Sequence, residues 1–223
     1  MSQFETVEAS TGDSPTAALI WLHGLGADGH DFAPVVPQLK LPAGPDLRFV
    51  FPHAPVRPVT INGGIPMRAW YDIVSIDSRP PTDQAAIDES TELVSRLIER
   101  EAERGIPADR IILAGFSQGG AIALHAGLRY PQTLAGIMGL STYLLMPERV
   151  REERSAANAN TPVFLAHGSF DPVVPVTAGE RSRDLLAELG YAPQWHSYPM
   201  PHAVLPQEIE DIRQWIGERF ADV

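Results

Sequence analysis

Short, almost wholly apolar runs recur along this chain, and longer helical patterns separate them. The runs are Ala17 to Leu22, Leu47 to Phe51, Ile111 to Ala114, Leu134 to Leu140 and Pro162 to Ala166. A strand apolar on successive residues buries both its faces, which suits a mainly parallel sheet covered by helices on each side. Gln194 to Tyr198 is more mixed and reads as a later strand, and Phe4 to Ala9 as an edge strand. The clearest helix runs from about Asp83 to Arg104, with Ile87, Val94, Leu97, Ile98 and Ala102 on one side and Gly105 just past its end. Others are expected from near Gly119, over Pro175 to Leu189 and over Pro206 to Phe220. Strands alternating with helices predict an α/β fold in which a parallel sheet carries helices on both faces. Such sheets bind ligands beyond the carboxyl ends of their strands.

The 223 residues suit one domain spanning 1–223. Seventeen Lys and Arg against 28 Asp and Glu give a net charge of −11, which opposes binding to nucleic acid or to anionic membrane surfaces. The absence of cysteine excludes disulfides, thiolate metal sites and a cysteine nucleophile. Neither a basic, then apolar N-terminal leader nor an apolar stretch of membrane-spanning length is present, so a cytoplasmic chain without stable membrane insertion is expected. One long segment, Pro52 to Pro81, is irregular, rich in proline and dotted with apolar residues. Long connections of that kind are usually functional, and the apolar content predicts an ordered loop that packs.

Gly115-Phe116-Ser117-Gln118-Gly119 is the one G-x-S-x-G sequence in the chain. With 18 glycines and 13 serines, chance alone produces such a pattern in roughly one of ten sequences like this one, so its surroundings decide. A buried strand precedes it and a small-residue helix follows. Ser117 therefore falls on a strand-to-helix turn that projects its hydroxyl from the sheet edge as a nucleophile. The Gln118 N–H, in the first helical turn, lacks an intrahelical acceptor and can donate to a developing oxyanion.

A serine needs a base, and in folds of this type the acid and the histidine follow the nucleophile in the chain. His125 lies in the helix after Ser117, His167 ends a strand, and His196 lies within one. His202, just beyond the strand Gln194 to Tyr198, sits at the carboxyl edge and is the candidate base. Asp171 follows the strand ending at His167 on a short loop and is the candidate orienter, while Asp184 and Glu188 fall inside a helix. The glycine-dense loop His23-Gly24-Leu25-Gly26-Ala27-Asp28-Gly29 follows the first buried strand, and Leu25 N–H is the candidate for a second oxyanion donor. These glycines do not match a dinucleotide or phosphate loop. His23, His30 and His53, with Asp28 or Asp31, show no recognised metal-ligand spacing and read as structural histidines. Trp70, Ile73 and Ile76, with Leu144, Leu145 and Met146, read equally well as walls of an acyl pocket and as ordinary core.

Several ordered motifs together carry a resemblance. Leu22 to Phe32, Phe51-Pro52-His53-Ala54-Pro55, Trp70-Tyr71-Asp72, Gly115 to Gly120, His167 to Pro172 and Tyr198 to His202 closely resemble the carboxylesterase and acyl-protein thioesterase family, also called phospholipase/carboxylesterases. The resemblance spans nearly the whole chain. It implies an α/β-hydrolase fold, a Ser117, Asp171 and His202 triad, and an oxyanion hole from Leu25 and Gln118. It also implies an acyl pocket bordered by the segment after Trp70-Tyr71-Asp72 and by Val173, hydrolysis of esters or thioesters without cofactor or metal, and a possible homodimer. The alternatives within the class are a protein-acyl thioesterase and a lysophospholipase. Pro201, directly before His202, departs from the glycine usual in bacterial relatives and stiffens the histidine loop. A non-catalytic binding protein on this fold normally lacks a triad member or the oxyanion glycines, and none is missing here.

Overall fold

The structure, a computed structural model, describes residues 5–41, 44–74 and 83–221. Its seven-stranded sheet comprises β1 (Thr6–Ser10), β2 (Ala17–Leu22), β3 (Leu47–Pro52), β6 (Ile111–Phe116), β7 (Gly136–Leu140), β8 (Val163–Gly168) and β9 (Gln194–Tyr198). The order is β1-β3-β2-β6-β7-β8-β9. Only β1, at the edge, runs antiparallel to its neighbour. Six carboxyl ends therefore lie along one edge, as the apolar runs predict.

Every residue of β2 is buried, and the strand's alternation divides them between two cores. Ala18, Ile20 and Leu22 face one side with α2 (Gln84–Glu103), α3 (Gln118–Gly127), α4 (Pro147–Glu153) and α5 (Val176–Glu188). Ala17, Leu19 and Trp21 face the other with α1 (Val36–Leu39) and α6 (Pro206–Arg219). Burying each large side chain contributes about 1.5–3 kcal/mol, so the two layers rather than helix propensity hold the elements in place.

The ends of α2 follow from local chemistry. The Asp83 carboxylate accepts the Ala86 N–H as N-cap, at 3.2 Å, and Gly105, with φ +92°, turns the chain so that Ile106 N–H reaches the Glu101 carbonyl at 2.9 Å. Ile87, Val94, Leu97 and Ile98 are buried as the spacing predicts, but Ala102 is exposed, and it is Glu101 that is fully buried, ion-paired to Arg48, Arg100 and Arg104.

The segment expected to be irregular contains regular structure. Residues Val56–Val59 (β4) and Ile65–Arg68 (β5) form an antiparallel hairpin in which Pro58 lies opposite Pro66. Proline is tolerated in a two-stranded ribbon because no further strand claims its missing N–H. Val56 and Ile65 stand exposed on it. Ile76 and Phe4, read above as pocket and edge-strand residues, lie outside the described residues. No helix among the described residues is long and apolar enough to cross a membrane.

Candidate active site

Ser117 occupies the turn between β6 and α3 with φ 53° and ψ −122°, a backbone that L-residues other than glycine seldom adopt. The turn is held from the neighbouring strand end. Ser117 N–H donates to the Leu140 carbonyl at 2.8 Å, and Thr142 Oγ1 donates to the Ser117 carbonyl at 2.6 Å. Thr142, which sequence reasoning missed, thus clamps the strained residue. Its only signal is its position two residues past β7.

The glycines of the motif are required by contact rather than by dihedral. A Cβ on Gly119 would stand 2.5 Å from the Leu22 carbonyl oxygen and closer still to that of His23, and one on Gly115 would meet the Gly119 to Gly120 backbone. Their absent side chains let α3 start directly against the end of β2. A Cβ on Gly24 would lie 3.5 Å from Ser117 Cβ, so the loop after β2 passes beside the serine.

His202 lies on the loop after β9, and its Nε2 is 2.9 Å from Ser117 Oγ. Its Nδ1 is 2.6 Å from Asp171 Oδ2. The other carboxylate oxygen, Oδ1, accepts the backbone N–H groups of Val173 and Val174 at 2.8 and 2.9 Å. An acceptor at Oδ2 assigns the imidazole proton to Nδ1 and leaves Nε2 to accept the Ser117 hydroxyl. Phe116 packs against the His202 ring, with centroids 4.7 Å apart. Gly168 admits this loop closely, since a Cβ there would stand 2.5 Å from the Pro201 carbonyl oxygen.

Four of the other histidines are packed or bonded elsewhere. His196 stacks on Phe164 and Tyr198 within the sheet. His125 is buried, its Nδ1 bonds to the Leu145 carbonyl, and its Nε2 faces Arg129; burial lowers its pKa to about 4. His167 Nε2–H donates to the Val174 carbonyl at 2.8 Å, which fixes the loop carrying Asp171, and burial lowers its pKa. His23 is buried beneath the Gly24 to Gly26 turn. Its Nε2 accepts the Ala54 N–H at 3.0 Å, so the proton rests on Nδ1, which donates to the Gly24 carbonyl at 2.7 Å. Burial brings its pKa down to about 4, which keeps the ring neutral and the tautomer fixed. Among the described residues no three His, Cys, Asp or Glu side chains cluster as a metal site.

Leu25 is half-buried on its turn, which Gly26 makes with φ +76°. Gly26 N–H donates to the Arg68 carbonyl of the hairpin. Neither the Leu25 nor the Gln118 backbone N–H meets an acceptor among the described residues, so both are free to bind an oxyanion.

The apolar walls divide differently from the sequence reading. Trp70 does not border an open pocket: it is fully buried, with its indole N–H on the His23 carbonyl at 2.8 Å and its backbone N–H on Gln118 Oε1 at 2.8 Å. An aromatic residue in a proline-rich loop reads as pocket lining when its hydrogen-bond partners are invisible. Leu144 and Leu145 are buried in the core, and Met146 packs against it. Ile73 is half-buried against the same core, and Val173 is 47% exposed beside Asp171. Asp72 accepts from Thr60 through both backbone N–H and hydroxyl, tying the segment to the hairpin.

Comparisons with known proteins place these features in a family. Residues 3–219 match the family model described as Phospholipase/Carboxylesterase. Acyl-protein thioesterase 1 of Neurospora crassa is 42% identical over 217 residues, covering 93% of this chain and 89% of that protein. Acyl-protein thioesterase 1 of Yarrowia lipolytica is 35% identical over the full length of both. Among solved structures, Zea mays acyl-protein thioesterase 2 superimposes with a TM-score of 0.84 at 29% identity, covering 97% of this chain and 99% of that one. Arabidopsis thaliana SOBER1 does so with a TM-score of 0.83 at 30% identity, covering 91% and 98%. A match of this extent, on an α/β sheet with the serine, aspartate and histidine adjacent at one edge, makes the chain a member of the phospholipase/carboxylesterase family of α/β-hydrolases.

Proposed function

We propose that this chain, as a single domain, cleaves carboxylic esters and thioesters through Ser117, His202 and Asp171 by way of an acyl-enzyme. The observation that carries the reading is the continuous chain Ser117 Oγ, His202 Nε2, His202 Nδ1, Asp171 Oδ2, with links of 2.9 and 2.6 Å. His202 takes the serine proton as Oγ attacks the carbonyl carbon, and the oxygen turns into the N–H groups of Leu25 and Gln118. The tetrahedral intermediate collapses, and the alcohol or thiol leaves with the proton from Nε2. Water, deprotonated by the same nitrogen, then attacks the acyl-enzyme and releases the acid. Asp171 stays ionised throughout and stabilises the imidazolium.

The acyl group is assigned to the exposed Val173, whose N–H bonds Asp171, and, by the family resemblance, to the segment that holds Ile73. The thioesterase relatives support acylated proteins as one substrate class, with small esters as the other. A cytoplasmic homodimer belongs to the same reading, supported by the family resemblance alone. The test is Ser117→Ala together with a fluorophosphonate probe. Hydrolysis of short aryl esters and labelling should both vanish; labelling at any other residue, or hydrolysis that persists, refutes the assignment.

A further inference from the structure

The two oxyanion donors come from separate stretches of chain. Leu25 lies on the loop after β2, and Gln118 opens α3, so their spacing depends on what spans them. One buried residue bonds to both stretches, its side chain to one and its backbone to the other. The Trp70 indole N–H donates to the carbonyl of His23, two residues before Leu25, and the Trp70 backbone N–H donates to Oε1 of Gln118 itself. Gln118 Nε2 closes the same bracket by donating to the Tyr71 carbonyl at 2.7 Å. A third anchor comes from α2, where Ser90 Oγ donates to the Trp70 carbonyl at 2.5 Å. Each polar group of Trp70 is therefore bonded to a different element, and the residue is wholly shielded from water.

Packing alone does not require this arrangement. A fully buried apolar slot accepts phenylalanine, whereas an indole aimed at a particular carbonyl fixes that carbonyl's position as well. Its bond is unscreened, and breaking it leaves buried polar groups unpaired. On the loop side His23 extends the brace. The Trp70 bond holds its carbonyl, its ring Nδ1–H holds Gly24, and its Nε2 is tied to Ala54 on the stretch between β3 and β4.

We propose that Trp70 is a positioning residue for the reaction, setting the distance between the Leu25 and Gln118 donors so that both reach the tetrahedral oxyanion at once. The inference rests on the oxyanion assignment above. Donors act at 2.7–3.1 Å from the oxyanion, and losing one costs about a hundredfold to a thousandfold in kcat. A misplaced donor should cost less than a lost one.

Two variants test it. Trp70→Phe removes the N–H with part of the ring. Replacement of Trp70 by 3-benzothienylalanine puts sulfur in place of the indole N–H and retains the ring's shape, so it decides the matter even where the phenylalanine variant fails to fold. The measurements are kcat and KM on an aryl ester, the melting temperature, and the affinity of an arylboronic acid that forms a tetrahedral adduct on the serine. The benzothienyl variant should lose about tenfold to a hundredfold in kcat while KM stays within about twofold, and boronate affinity should fall by the same factor as kcat. Merely structural damage lowers the melting temperature without that proportionality. If the benzothienyl variant retains both kcat and boronate affinity within about twofold, Trp70 only packs and the proposal fails. Leu25→Pro, which deletes one donor N–H, separates the two readings. If it retains kcat, the oxyanion assignment itself falls; if it loses kcat while the benzothienyl variant does not, only the brace falls.

Discussion

Replacing Asp171 by asparagine should abolish activity while leaving the fold almost untouched, and the two oxygens of the native carboxylate explain why. Oδ1 receives the N–H groups of Val173 and Val174, and Oδ2 receives His202 Nδ1–H. In Asp171→Asn the amide oxygen must take the Oδ1 place, because the opposite orientation sets an NH2 group against two N–H donors. The new NH2 then faces His202 Nδ1, which can only accept. The ring proton moves to Nε2, where it points at Ser117 Oγ and leaves no lone pair to take the serine proton. An inverted tautomer of this kind lowers kcat about ten-thousandfold in serine proteases, and the same factor is expected here. Both backbone bonds survive, so the change in unfolding free energy should stay within about 1 kcal/mol. Asp171→Ala behaves differently. It leaves the buried Val174 N–H unpaired and should cost about 1–3 kcal/mol in addition to the activity. Steady-state hydrolysis of an aryl ester and urea denaturation of both variants check the pair. If Asp171→Asn retains more than about a tenth of kcat, Asp171 does not set the tautomer.

Two further predictions concern packing and pH. Gly119→Ala places a Cβ 2.5 Å from the Leu22 carbonyl oxygen, so α3 must move off β2; thermal denaturation should show a loss of about 1–3 kcal/mol or more, accompanied by loss of activity. Glu208, at the start of α6, is fully buried; burial, opposed by the Leu205 backbone and reinforced by Asp211, pushes its pKa up from 4.5 to about 8. The folded state therefore holds a proton that the unfolded state releases above 4.5, and this group's contribution to stability falls as pH rises from there to about 8. Glu208→Gln should remove that slope, matching the wild type at about pH 4 and exceeding it in melting temperature at about pH 9; equal melting temperatures at the higher pH would contradict it.

The sequence made the sheet legible because its strands are buried on both faces. Ala17–Leu22 has the same bounds in the structure as in the apolar pattern, and the more mixed Gln194–Tyr198 also keeps its bounds. Chain order and strand ends likewise singled out the serine, aspartate and histidine that the structure sets in hydrogen-bonding distance of one another. The hairpin β4–β5 was hidden because Pro58 and Pro66 discourage a strand reading and Val56 and Ile65 face outward instead of marking a core. The helix α4 was hidden because only Val150 of its seven residues is buried, too few to show a period. For Trp70, equally pocket wall or core by its sequence, the structure favours the core, and its role there was hidden for a different reason. Apolar pattern reports which side chains leave water, but not which carbonyl a buried N–H will find across 47 residues of chain.

The position of β9 at the sheet edge bears on how the enzyme is made. A ribosome delivers Ser117 first and His202 85 residues later, on the loop that follows the edge strand. At about 5–20 residues per second, about 4–17 s separate synthesis of the proposed nucleophile from synthesis of its proposed base. Throughout that interval the serine is an ordinary alcohol, and β8 presents an unpaired edge until β9 arrives to cover it. Pairing of the edge strand therefore completes the sheet and brings up the proposed base together, so the nascent chain stays chemically silent until its last strand is in place.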